Sequence, residues 1–158
     1  MTGSLGPADP TDHEGPIVPA DVLAAAATTI EDREGERWPS PPPDASPMVR
    51  RCHELRRMPL RQLSVEDLRV LISQNVGLAT TLPMALGMLR DRPLLEGDLY
   101  PGDLLVAVLR RPTDDWRGNR TLADLLREAL ARLDPQDPDY PTGSDLPDLV
   151  ARATAALA

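Results

Sequence analysis

Between Pro59 and Arg111 the apolar positions recur at helical spacing. Val65, Leu68, Leu71, Ile72 and Val76 fall on one side of a helix that begins after Ser64. Glu66 and Asp67 occupy its first turn, where carboxylates suit the positive end of the helix dipole. Gly77 stands where a left-handed residue is expected to close that helix. Leu78, Leu82, Ala85, Leu86 and Leu89 repeat the spacing in a second helix. Leu104 to Leu109 is apolar throughout. Pro101, Gly102 and Asp103 precede it, so it reads as a central helix covered by neighbours rather than a buried strand.

Burial within this stretch roughly offsets the entropy of ordering its backbone, so flanking segments must complete the core. Trp38, Trp116 and the Leu-rich run 122–133 are the candidates. Ser46 and Pro47 open a helix to Arg57, expected to turn Met48, Val49, Cys52 and Leu55 inward and Arg50, Glu54 and Arg57 outward. Thr113 to Trp116 reads as a short capped turn. Thr121 with Asp124 resembles a capping box and opens a helix with Leu122, Leu125, Leu126, Ala129 and Leu133 inward. A last helix near 146–157 gathers Leu146, Leu149, Val150, Ala153 and Leu157 on one side, for docking on the domain or on a partner.

The remaining text is connector. PSPPPDASP (39–47) is stiff and extended, DPQDPDYPTGSD (134–145) reads as a linker, and residues 1–19 hold little to bury and read as disordered. A weak helix from Ala20 would place Val22, Leu23, Ala26 and Ile30 together. The expected fold is all-α: a compact single-domain bundle of about five to seven helices. Its expected divisions are a disordered or weakly helical tail (1–28), the domain (29–133), the linker (134–145) and a C-terminal amphipathic helix (146–158).

Composition sharpens this in three ways. The 158 residues include no Phe, two Trp and two Tyr, so the core is aliphatic. Every basic side chain is Arg, which with abundant Ala, Pro and Asp suggests a GC-rich, bacterial genome. Cys52 is the single cysteine; it excludes an internal disulfide and fits a reducing cytoplasm. No basic stretch leads into an apolar run and no apolar run would span a bilayer, so a soluble cytoplasmic protein is expected. The net charge of −8 is uneven: nine acids against two Arg in 1–45, seven against ten in 46–111, nine against five in 112–158. The acidity belongs to the ends, not to the central helices.

Catalytic chemistry has little to stand on. His13 lies in the tail. His53 adjoins Cys52, and adjacent helical residues point about 100° apart, so the two form no nucleophile–base pair. Cys52 reads as a small core residue. No clustered Cys/His set or Gly-rich phosphate loop is present, so no catalytic residue, cofactor or metal is expected. Glu96, Asp98 and Asp103 in GDLYPGD admit two readings, a hard-cation site or turn and helix-start chemistry. Helices 64–75 and 78–91 mimic helix-turn-helix spacing. The second begins LATTLPMALGM, with no charge before Arg90, and lacks the side chains that read bases. Arg50, Arg51, Arg56, Arg57 and Arg61 form a basic patch interrupted by Glu54, read as a solvated face rather than a phosphate site. Nucleic acid and membrane are therefore not expected partners. What remains is protein binding. Tyr100 beside Asp98 and Asp103, and Trp116 beside Asp114 and Asp115, pair an aromatic anchor with acids. The alternative is that both aromatics cap the core.

Three strings carry a resemblance: IEDREGERWPSPP (30–42), MVRRCHELRRMPLRQLSVEDLRVLISQNVGL (48–78) and PLLEGDLYPGDLLVAVL (93–109), with Trp116 beyond. Over roughly residues 29–118 the chain resembles the immunity proteins of contact-dependent growth inhibition (CDI) systems. The resemblance implies a non-enzymatic protein that binds a cognate toxin domain, often a nuclease, in the cytoplasm and blocks it by stoichiometric occlusion. The acidic C-terminal third would complement a basic nuclease. The alternative is a regulatory or adaptor protein that places helix 146–157 in a partner's groove.

Overall fold

The computed structural model describes residues 28–158, all helix, turn and loop with no strand among them. The expected tail and most of the weak helix from Ala20 lie outside the described residues. Eight helices follow in order: α1 (Ile30–Glu34), α2 (Pro47–Arg56), α3 (Val65–Ser73), α4 (Leu78–Asp91), α5 (Asp103–Arg110), α6 (Asp114–Arg117), α7 (Arg120–Ala131) and α8 (Leu146–Leu157). The all-α architecture is as expected. The count exceeds the anticipated range because α1 and α6 are short.

Most helix starts follow local chemistry. Ser64 caps α3 by accepting the Asp67 N–H at 3.1 Å, while the Asp67 carboxylate accepts the Ser64 N–H at 3.0 Å. Thr29 and Asp32 form the same reciprocal pair at α1. Ser46 caps α2, with Pro47 in its first turn. Two expected punctuation marks moved by a few residues. Asn75, at φ 59°, takes the left-handed position after α3. Gly77, also left-handed, instead opens α4, and a Cβ there would meet the Ile30 side chain at 2.9 Å. At α7 the cap is Asn119, which accepts the Leu122 N–H at 3.1 Å; Thr121 lies inside the helix and Asp124 pairs with Arg127.

Helix α5 lies at the centre, every residue from Asp103 to Leu109 buried, as an apolar-all-round helix must be. Helix α3 packs along it, α4 packs on both α3 and α7, and α8 closes over α5 and α7. The fit of α8 answers where its apolar face goes: Leu146, Ala153 and Leu157 are buried in the core. Arg152 donates to the Leu109 carbonyl, and Arg127 donates to the Leu157 carbonyl at 2.8 Å. Helix α4 is buried along most of its length, including Thr80, Thr81 and Leu82 in its first turns.

Helix α2 departs most from expectation. Cys52 and Leu55 are buried, but Met48 and Val49 are 40% and 41% exposed, because the first turn of α2 projects past the core. Burial raises the pKa of the Cys52 thiol. Arg56, expected in a solvated basic patch, is 1% exposed. Its guanidinium pairs with Glu34, donates to the Glu36 carbonyl at 2.8 Å, and lies 4.1 Å from the Trp38 ring centroid. Trp38 also meets His53 edge to face at 5.0 Å. Arg61 stays exposed as expected, but three more of the patch are occupied: Arg50 donates to the Pro43 and Ala45 carbonyls, Arg51 pairs with Asp67 and Glu54, and Arg57 pairs with Glu31. These arginines bind the segment 30–45 and α3 to α2.

Candidate protein-binding surface

Residues 92–102 link α4 to α5, and the path of the second part, 96–102, is set by two carboxylates beneath it. Asp103, the first residue of α5, is 2% exposed. Its Oδ1 accepts the Gly97 N–H at 2.6 Å and its Oδ2 accepts the Leu99 N–H at 3.0 Å. From the first turn of α3, Glu66 Oε2 accepts the Asp98 N–H at 3.0 Å. Three consecutive amides are thus held by side chains of two different helices. Glu66 is itself held by Arg69, one turn along, through Nε at 2.7 Å and Nη2 at 2.5 Å. Arg69 Nε lies 3.9 Å from Asp103. One guanidinium therefore balances both acids.

The backbone must be unusual to permit this. A Cβ at Gly97 would sit 2.6 Å from Glu66 Oε2 and 3.0 Å from Asp103 Oδ2, so a side chain there would crowd the two carboxylates that hold the loop. Gly102, at φ 88°, turns the chain into α5 while its N–H reaches the Leu94 carbonyl at 3.0 Å.

The Arg69 fork lowers the pKa of the Glu66 carboxyl from its ordinary value of 4.5, and the Asp98 amide adds to this against the opposing effect of burial. A carboxyl depressed in the folded state contributes stability that is fully present above its ordinary value. That contribution is lost as pH falls through the depressed one. Denaturant midpoints measured from pH 6 downward should fall in the acid range, and Glu66→Gln should flatten that fall. An unchanged slope in Glu66→Gln would remove Glu66 from the acid response.

Beside the loop lies a groove of about 290 Å³, lined by Arg69, Ser73, Leu99, Tyr100, Arg110 and Arg111, with Val106 and Ala107 of α5 beneath. Each arginine has a carboxylate partner. Arg110 forks onto Asp145 at 3.0 Å, raising its own pKa and lowering that of Asp145. Arg111 pairs with Asp115 at 2.8 Å and donates to Asn75 Oδ1 at 3.1 Å.

The residues expected to bind a partner divide between this surface and the core. Asp98 is exposed, and Tyr100 is half-buried, resting on the core and lining the groove. Asp115 reaches the groove through Arg111, and Asp114 beside it is exposed. Asp103 works inward, as the anchor of the loop. Trp116 is enclosed completely, its indole N–H without an acceptor, so it serves the core and offers no anchor at the surface. Of Glu96, Asp98 and Asp103, only Asp103 does turn and helix-start work, bound to two amides; Glu96 and Asp98 are exposed. Among the described residues no three His, Cys, Asp or Glu side chains gather as a metal site. Sequence reasoning missed Leu99, Arg69, Arg110 and Arg111. Leu99 carried a signal: an apolar residue among the turn formers Gly97, Asp98, Pro101 and Gly102.

The family model of CDI immunity proteins matches residues 32–126, more than half of the chain. The chain belongs to this family. The segment matched by the CDI immunity family runs from α1 into α7 and includes Arg56, the clamp of Glu66, Arg69 and Asp103, the loop 96–102 and Trp116. Helix α8 lies beyond it. Neither a curated protein nor a solved structure matches the chain. No helix of the described residues is long and apolar enough to cross a membrane.

Proposed function

We propose that this chain binds a cognate CDI toxin domain in the cytoplasm and neutralises it stoichiometrically, by covering the toxin's active site or substrate groove, without catalysis of its own. The observation that carries this reading is the family match over residues 32–126. The chemistry of the matched segment supports it. Its buried charged residues are committed to the scaffold: Asp67 to a helix cap and Arg51, Arg56 to Glu34, and Asp103 to two loop amides. The surplus acids after residue 111 favour a basic toxin, such as a nuclease. The adaptor reading would require α8 to leave α5 and α7, where its apolar face is buried.

Co-expression with the toxin domain encoded by the adjacent gene tests the proposal. Restored growth and a complex of fixed stoichiometry on size exclusion are expected. Continued growth arrest with no complex would overturn it.

A further inference from the structure

We propose that Leu99 is the residue through which this chain anchors its partner, and that the partner presents an apolar socket edged by basic side chains. This rests on the inhibitor reading above and adds the point of contact.

Leu99 is 60% exposed, more than any other large hydrophobic residue among those described. Its exposure follows from how the loop is built. The amides of Gly97, Asp98 and Leu99 are all held from below by Asp103 and Glu66. On its other side Tyr100 rests on the core. The backbone on both sides of Leu99 is fixed, so the side chain is held out in water instead of folding back. A buried carboxylate, a guanidinium fork and a glycine whose missing Cβ leaves room for both carboxylates all serve this one short segment. A contact residue held this way loses little freedom on binding. The groove next to it continues the surface over Tyr100, Val106 and Ala107.

Charge gives the partner its chemistry. Glu96 and Asp98 flank Leu99, are exposed, and make no ion pair among the described residues. The three arginines of the groove are each matched by a carboxylate. Arg92 and Arg132 lie in the cavity beside Glu96 but are outnumbered there by Glu96, Asp134, Asp137 and Asp139, so the surface around Leu99 carries surplus negative charge and its complement is basic.

The test is titration calorimetry with the purified toxin domain encoded by the adjacent gene, against wild type, Leu99→Ala, Leu99→Asp and Met48→Ala. Met48 is a second exposed apolar residue, on α2 and outside the groove. Leu99→Ala should bind about 10-fold more weakly and Leu99→Asp about 100-fold or more, because the latter brings a carboxylate into an apolar socket. Met48→Ala should stay within about twofold. Thermal melts should be alike for all four, since neither side chain supports the core. If Leu99→Asp binds within about threefold of wild type, or Met48→Ala is the weaker binder, the anchor is elsewhere and the inhibitor reading stands. A wild type that does not bind the toxin overturns both.

Discussion

Asp103→Ala is expected to cost about 2–4 kcal/mol, because it strips two backbone N–H groups of a charged acceptor at once. The Gly97 and Leu99 amides lose their partner, and Arg69 loses one of the acids around it. A carboxylate at the positive end of α5 is removed as well. Urea denaturation would show a lower midpoint. Hydrogen exchange at the amides of 97 and 99 should accelerate well beyond that of Leu105 or Leu109, which sit within α5. Asp103→Asn should fall between, since its amide keeps one acceptor oxygen and turns a donor toward the second N–H. A loss below about 1 kcal/mol in Asp103→Ala would mean that water replaces the carboxylate and that the loop is not held from beneath.

Arg56→Ala is expected to cost about 3 kcal/mol, for a different reason. Arg56 is the only arginine among the described residues that is buried, and it joins α1 to α2 by an ion pair, a backbone carbonyl and the Trp38 face. Truncation leaves Glu34 without its partner, the Glu36 carbonyl without a donor and a void under the indole. Glu34 is partly exposed, so water recovers some of the loss and the cost stays near the lower end for a buried pair. Arg56→Lys should recover less than half, because a single ammonium cannot reach the carboxylate and the carbonyl while also stacking on the ring. Equal melting temperatures for the Lys variant and wild type would show that charge alone, not the planar fork, does this work.

The helices were legible where neighbouring residues decide the outcome. The Ser64 start, the Pro47 start and the apolar run of α5 each rest on a few adjacent positions, and each formed where its residues predict. Errors arose where a distant neighbour decides. Periodicity placed Met48 and Val49 on the inward face correctly in angle, but it could not show that α2 overhangs the core by a turn. The same periodicity contained the answer for Arg56, which follows Cys52 and Leu55 at i, i+3, i+4. Residue type overrode spacing there, since an isolated Arg is seldom buried and its Glu34 partner lies 22 residues away. The candidate surface was half legible. GDLYPGD announced a turn with acids, yet which acid points down and which side chain is left outside depends on Glu66 and Arg69, about 30 positions earlier. Trp116 was open to both readings, completing the core or anchoring a partner, because sequence alone cannot separate them; burial decides for the core.

Asp103 and Glu66 grip residues 97–99 only through main-chain N–H groups. Nothing in that grip depends on what positions 98 and 99 display. A substitution at either position leaves that grip intact, so the surface the loop offers can be altered without rebuilding the helices underneath. The hand that holds the key is built separately from its teeth.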